Sequence, residues 1–84
     1  MNETHQRPVL LRRQTVAHET GYSRSTLYER IKQGLFPKPV RLGPRSVAWP
    51  AAEVAAVNAA RIAGDGDEAI QSLVSRLSVG RSAR

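Results

Sequence analysis

The stretch Gly21-Tyr22-Ser23-Arg24-Ser25-Thr26-Leu27-Tyr28-Glu29-Arg30-Ile31-Lys32-Gln33-Gly34 contains a whole helix with both of its stop signals. Ser23 is a good N-cap, because its hydroxyl can accept from the otherwise unpaired N–H of Ser25 or Thr26. Gly34 suits the left-handed position just past the C-terminus. At about 100° per residue, Leu27 and Ile31 share one face, while Ser25, Glu29, Lys32 and Gln33 lie roughly opposite. The apolar stripe is therefore narrow and the polar face broad. Arg24, Ser25 and Thr26 occupy the first turn, beside N–H groups that favour an anion. A helix-turn-helix protein presents this same end to bases, and we read the segment as a DNA-recognition helix. An ordinary amphipathic surface helix carries the same pattern, so the flanking segments decide.

Upstream, the pattern predicts a short helix from about Gln14 to Thr20, with Val16, Ala17 and Thr20 facing inward. Gly21 ends it, which leaves a turn of about three residues between two helices, as in a helix-turn-helix. Tyr22 is expected to plug the angle between them. Val9, Leu10 and Leu11 supply a first apolar anchor. Residues 1–8 are polar, end in Pro8 and read as a flexible arm.

Downstream, Pro37 and Pro39 exclude helix, and Leu35 to Trp49 reads as a wing. Val40 and Leu42 alternate with Arg41, Gly43-Pro44 turns the chain, and Ser46 to Trp49 returns as a second strand. Alternation puts Val40 and Leu42 on one face and Arg41 on the other, with Arg45 at the tip. Positive charge there can reach a phosphate or a narrow minor groove. Alternatively, the arginines only protect a short sheet edge from aggregation. Trp49, the only tryptophan, is expected in the core. Pro50 suits the first turn of a helix running to about Ala63, with Val54, Val57, Ala60 and Arg61 on one face and Glu53 near its N-terminus.

Gly64-Asp65-Gly66 breaks that helix, and a last one, from about Asp67 to Val79, carries Ile70, Leu73, Val74 and Leu77 at i, i+3, i+4 and i+7. This stripe either packs back on the domain or pairs with a second copy in a homodimer or cooperative assembly. Gly80 to Arg84 should fray. The expected organisation is an arm (1–8), a winged helix-turn-helix DNA-binding domain (9–63), and a linker, amphipathic helix and frayed tail (64–84). The fold class is mainly α with a small β-hairpin.

Charge follows the same division. Residues 1–50 hold nine Lys and Arg against three acidic residues, whereas residues 51–84 balance four against four, so the whole net charge of +6 surrounds the recognition segment. A basic surplus confined to one region fits a polyanion partner better than general solubility does, although a solvated basic face is the plainer alternative. The expected DNA contacts are Ser23, Arg24, Ser25, Thr26, Tyr28, Glu29 and Lys32 from the helix, and Lys38, Arg41 and Arg45 from the wing.

With 84 residues and no cysteine, one small domain is expected, without disulfide or thiolate metal site. So short a chain has little room for an enclosed substrate pocket. His5 and His18 lack partners at metal-ligand spacing. No G-x-S-x-G turn or glycine-rich phosphate loop is present. Asp65, Asp67 and Glu68 are accounted for by a linker and the first turn of a helix. We therefore expect no enzyme, no metal and no cofactor. The start Met1-Asn2-Glu3-Thr4-His5 has no signal-peptide pattern and no segment is apolar enough to span a membrane, which leads to a cytoplasmic expectation.

Leu10-Leu-Arg12, Thr20-Gly-Tyr-Ser-Arg-Ser-Thr-Leu-Tyr28, Gly34-Leu-Phe-Pro-Lys-Pro-Val-Arg-Leu-Gly43, Arg45-Ser-Val-Ala-Trp49 and Glu53-Val54 follow one another in an order that resembles the AlpA family of small phage and prophage regulators. The resemblance covers roughly residues 9–63. It implies a MerR-like winged helix-turn-helix that regulates transcription of phage or prophage genes, often an integrase gene, with excisionases among its relatives. It also implies that the Ser23 to Gln33 helix enters the major groove and that the hairpin around Gly43 lies against the neighbouring backbone. Three positions depart from the usual pattern. Glu29 stands where a basic residue is common, Arg30 where an apolar one is, and Val57 where a second tryptophan is. Glu29 can accept from a cytosine amino group, so the first departure bears on base preference.

The leading expectation is a sequence-specific DNA-binding regulator of phage, prophage or mobile-element genes. Its nearest competitor is an excisionase-type protein that bends DNA for recombination. A protein-interaction adaptor using the Ile70 to Leu77 stripe is the alternative of another class.

Overall fold

The computed structural model describes residues 7–82. Most of the arm expected at residues 1–8, including His5, and the last two residues of the tail lie outside them. The chain runs β1 (Leu10–Leu11), α1 (Arg13–Thr20), α2 (Arg24–Lys32), β2 (Val40–Gly43), β3 (Ser46–Pro50), α3 (Ala51–Ile62) and α4 (Asp67–Ser82). It is mostly helical with one small antiparallel sheet of order β1-β3-β2. Helix α1, the turn, α2 and the β2–β3 hairpin form a winged helix-turn-helix, to which α4 is added at the C-terminus.

The ends of α2 follow from its capping residues. Ser23 Oγ accepts from the Thr26 N–H at 3.2 Å, as the capping rule requires. At the other end the Gly34 N–H donates to the Ile31 carbonyl and the Leu35 N–H to the Arg30 carbonyl, a Schellman closure. Gly34 takes φ +76°, a conformation that costs glycine little because it has no Cβ. α1 ends in the same spirit, with Gly21 at φ +79° and its N–H bonded to the Ala17 carbonyl.

One core draws on all four helices and on β1 and β3. Val16, Leu27, Leu35, Phe36, Trp49, Val54, Val57 and Ile70 are buried and mutually packed. Trp49 is fully buried on the central strand, and its indole N–H donates to the Pro37 carbonyl at 2.9 Å. That bond satisfies the one polar group of the ring and ties the α2–β2 connection to the sheet. Tyr22 is half-buried in the helix-turn-helix angle, its ring edge-on to Phe36 at 6.4 Å.

Several expectations change. The apolar segment Val9-Leu10-Leu11 contains a strand: β1 pairs Leu10 with Pro50 and Leu11 with Trp49, so only Leu11 turns to the core while Val9 and Leu10 stay exposed. Pro50 accordingly closes β3 and caps α3 instead of entering its first turn. Leu35 and Phe36, read as the start of the wing, are core residues. Leu42 does not share a buried face with Val40. The hairpin register shifts between Arg41 and Gly43, and this irregularity leaves Leu42 exposed.

The departures from the family pattern have local answers. Arg30 is half-buried, with its guanidinium over the Tyr22 ring at 5.7 Å, so its stem and flat head cover apolar surface as an apolar residue would. Val57 is buried in the common core.

The C-terminal stripe packs on its own domain. Ile70 is fully buried, and Leu73, Val74 and Leu77 pack partly buried against the same core. Helix α4 also extends to Ser82, beyond the expected end at Val79, and Gly80 and Arg81 lie within it. Among the described residues no helix is long and apolar enough to cross a membrane.

Candidate nucleic-acid interface

Three elements converge on one open, mostly polar cleft. Arg12, Arg13 and Gln14 come from the start of α1, Arg24 and Tyr28 from α2, and Arg45 and Val47 from the hairpin. Four arginines thus face one concavity with no acidic residue among its lining. Backbone adds to this field. Arg12, the N-cap of α1, makes no side-chain capping bond, so the first-turn amides of α1 are left to solvent or to an anion.

The fold explains why these residues meet. Gly21, Tyr22 and Ser23 turn the chain so that the N-terminal ends of α1 and α2 approach the same side. The hairpin then brings Arg45 back from the far end of β2. Tyr28 is anchored beneath them, its ring 6.3 Å from Trp49 and tilted to it, while the residue keeps 36% of its surface exposed. An aromatic ring held from below and wet above can meet a base or sugar without losing much entropy.

The expected contact residues do not all lie in this cleft. Arg24, Tyr28 and Arg45 line it. Arg41 stands opposite Val47 in the register, so it projects from the same face of the hairpin as a cleft residue. Ser25, Glu29 and Lys32 are exposed on α2. Ser23 and Thr26 have local duties as well: Ser23 Oγ donates to Thr26 Oγ1 at 3.0 Å while it caps the helix. Glu29 accepts from Gln33 Nε2 at 3.3 Å, and Arg30 donates to Gln33 Oε1, so neither Arg30 nor Lys32 holds the Glu29 carboxylate. Lys38 is exposed, but it borders a different groove, between the α2–β2 connection and α4.

Arg12, Arg13 and Gln14 had not been expected among the contacts. The Arg12-Arg13 pair was visible as part of the basic half, but only the folded turn brings it opposite Arg45.

The fold and this arginine-lined cleft define a small winged helix-turn-helix with one basic face. The family described as "Prophage CP4-57 regulatory protein (AlpA)" matches residues 9–60, and the chain belongs to that family. It is also 54% identical over 54 residues to the uncharacterised protein ORF88 of Enterobacteria phage P4, an alignment covering 64% of this chain and 61% of that protein. The chain therefore spans about three fifths of the length of the curated relative it matches. No solved structure matches it.

Proposed function

We propose that this protein is a sequence-specific DNA-binding regulator of phage or prophage genes. The observation that carries the reading is the convergence of Arg12, Arg13, Arg24 and Arg45 with Tyr28 in one cleft, beside the N-terminal turn of an exposed helix. Membership of a prophage regulatory family supports the same reading. In this proposal α2 enters the major groove, where Ser25, Tyr28 and Glu29 reach base edges, while Arg12, Arg13, Arg41 and Arg45 hold the backbone on either side. Arg24 and Lys32 have stems long enough to serve phosphate or guanine. Nothing in the cleft calls for a cofactor, since arginine, amide and aromatic groups supply phosphate binding and stacking by themselves.

The test is a binding isotherm on a duplex enriched by the full chain from a random-sequence pool, repeated over a salt series. Affinity should fall steeply with salt, and each of Arg12→Ala, Arg24→Ala and Arg45→Ala should lower the log–log slope by about 0.9 if it removes one phosphate contact. An affinity independent of salt overturns the proposal. Footprinting and bending assays on the same duplex separate the regulator from the excisionase-type alternative, for which an array of adjacent, bent sites is expected. The adaptor reading has less to stand on, because the Ile70 to Leu77 stripe it requires is turned inward.

A further inference from the structure

Helix α4 lies outside the residues matched by the family, yet it grips the domain at two places, the C-terminal end of α2 and the approach to the wing. Near its start, Gln71 Nε2 donates to the Gln33 carbonyl at 2.9 Å. Gln33 is the C-cap of α2, where helix carbonyls otherwise lack partners. The side chain also passes over Gly34, where a Cβ would be in ordinary van der Waals contact with Gln71 Cγ at 3.8 Å. Ten residues further on, about 15 Å along a helix, Arg81 Nη2 donates to the Lys38 carbonyl at 2.7 Å, at the approach to the wing.

Arg81 is itself held in a fixed orientation. Its Nε donates to Glu53 Oε2 at 2.8 Å and its Nη2 to Glu53 Oε1 at 2.5 Å, and Glu53 is only 7% exposed. A two-point guanidinium–carboxylate fork sets direction as well as distance. For stability alone, a well-packed apolar pair in the same place generally serves as well as a buried ion pair. What the fork adds is a directed bond to a backbone carbonyl two residues before β2. Between the two grips Leu73, Val74 and Leu77 pack against the core, and Ile70, just before the first grip, is buried in it.

We propose that α4 is a brace for DNA binding, with Gln71 and Arg81 as positioning residues that fix the recognition helix and the wing to one rigid strut. The proposal rests on the DNA-binding reading above. Neither residue touches nucleic acid. Their effect is to keep Arg24 and Arg45, on separate elements, at a spacing that one duplex can meet simultaneously.

A double-mutant cycle between Arg81→Ala and Arg45→Ala tests this, with affinity measured on the duplex enriched from the random pool, at a temperature where melting curves show each variant folded. Arg81→Ala should weaken binding, and Arg45→Ala should then cost less than in the wild type, with a coupling of about twofold or more in affinity. The salt slope of Arg81→Ala should also fall towards that of Arg45→Ala. If Arg81 only stabilises the fold, the two losses add and the slope stays at its wild-type value, and the brace is overturned. If Arg45→Ala has no effect in the wild-type background, the wing reading itself fails, which is a different outcome. Should Arg81→Ala melt below the assay temperature, Arg81→Lys goes through the same cycle, since it keeps the charge and loses the fork. Gln71→Ala, paired with Arg24→Ala, provides the matching cycle at the α2 end, with the same coupling expected.

Discussion

Helices α2 and α4 both carry an apolar stripe, and the molecule uses them in opposite ways. Helix α2 buries only Leu27 completely, is closed by Ser23 and Gly34, and leaves Ser25, Tyr28, Glu29 and Lys32 facing outward. Helix α4 buries Ile70 completely and lays Leu73, Val74 and Leu77 against the core, and it adds polar contacts to the domain through Gln71 and Arg81. One helix is held mainly at its ends, so its broad face remains available to a ligand. The other is held along its length, so it can stiffen what it touches. A helix that must present a face is better fixed by caps than by packing, because packing would cover the face.

This contrast is open to measurement. The largest effect is expected in α4: Ile70→Ala should cost about 2–5 kcal/mol of whole-domain stability, because it removes a fully buried side chain from a shared core. The loss should be the same at every protein concentration. A melting temperature that climbs with concentration would break the comparison, since that is the signature of a second copy bound to the stripe. Leu73→Asp, made for the same purpose, should destabilise the domain and leave its oligomeric state as it was.

A smaller effect is expected at the end of α2. Ser23→Ala removes an acceptor from the Thr26 N–H and should cost about 1 kcal/mol, with Ser23→Gly costing less. Urea titration of the two variants checks the order. Equal losses would mean that tertiary contacts, and not the cap, hold this end of the helix.

The smallest effect on stability belongs to Glu29→Gln, on the exposed face of α2. Melting should hardly change, because the residue's bond is to the neighbouring Gln33 on the surface. Binding sharpens the comparison: a Glu29 that accepts from a cytosine amino group makes the variant relax preference at one base pair by about 1–3 kcal/mol. Affinity that rises equally on matched and mismatched duplexes, at one salt concentration, shows instead that Glu29 only repels the backbone.

Local chemistry made much of the fold legible from residues alone. Ser23, Gly21 and Gly34 mark helix ends because a hydroxyl or a missing Cβ acts within a few residues, and these marks hold in the structure. Pro37 and Pro39 exclude helix for an equally local reason. The alternation of Val40, Arg41 and Leu42 is local too, but it assumes a regular ladder. The shift between Arg41 and Gly43 removes that assumption and leaves Leu42 exposed.

The sequence by itself determined where α1 ends and where α2 begins and ends, that Trp49 and Leu27 belong inside, and that positive charge gathers in the first 50 residues. Each of these depends on side-chain type and short spacing. Only the tertiary structure decided that two residues of the apolar anchor form β1, that Leu35 and Phe36 turn inward, and that the last stripe covers its own core. It alone brought Arg12 and Arg13 opposite Arg45, and Arg81 onto Glu53 and Lys38. The physical reason is common to all of these. An apolar stripe or a guanidinium specifies what kind of partner it needs, but which partner it meets depends on how distant segments pack, and no spacing along the chain encodes that distance.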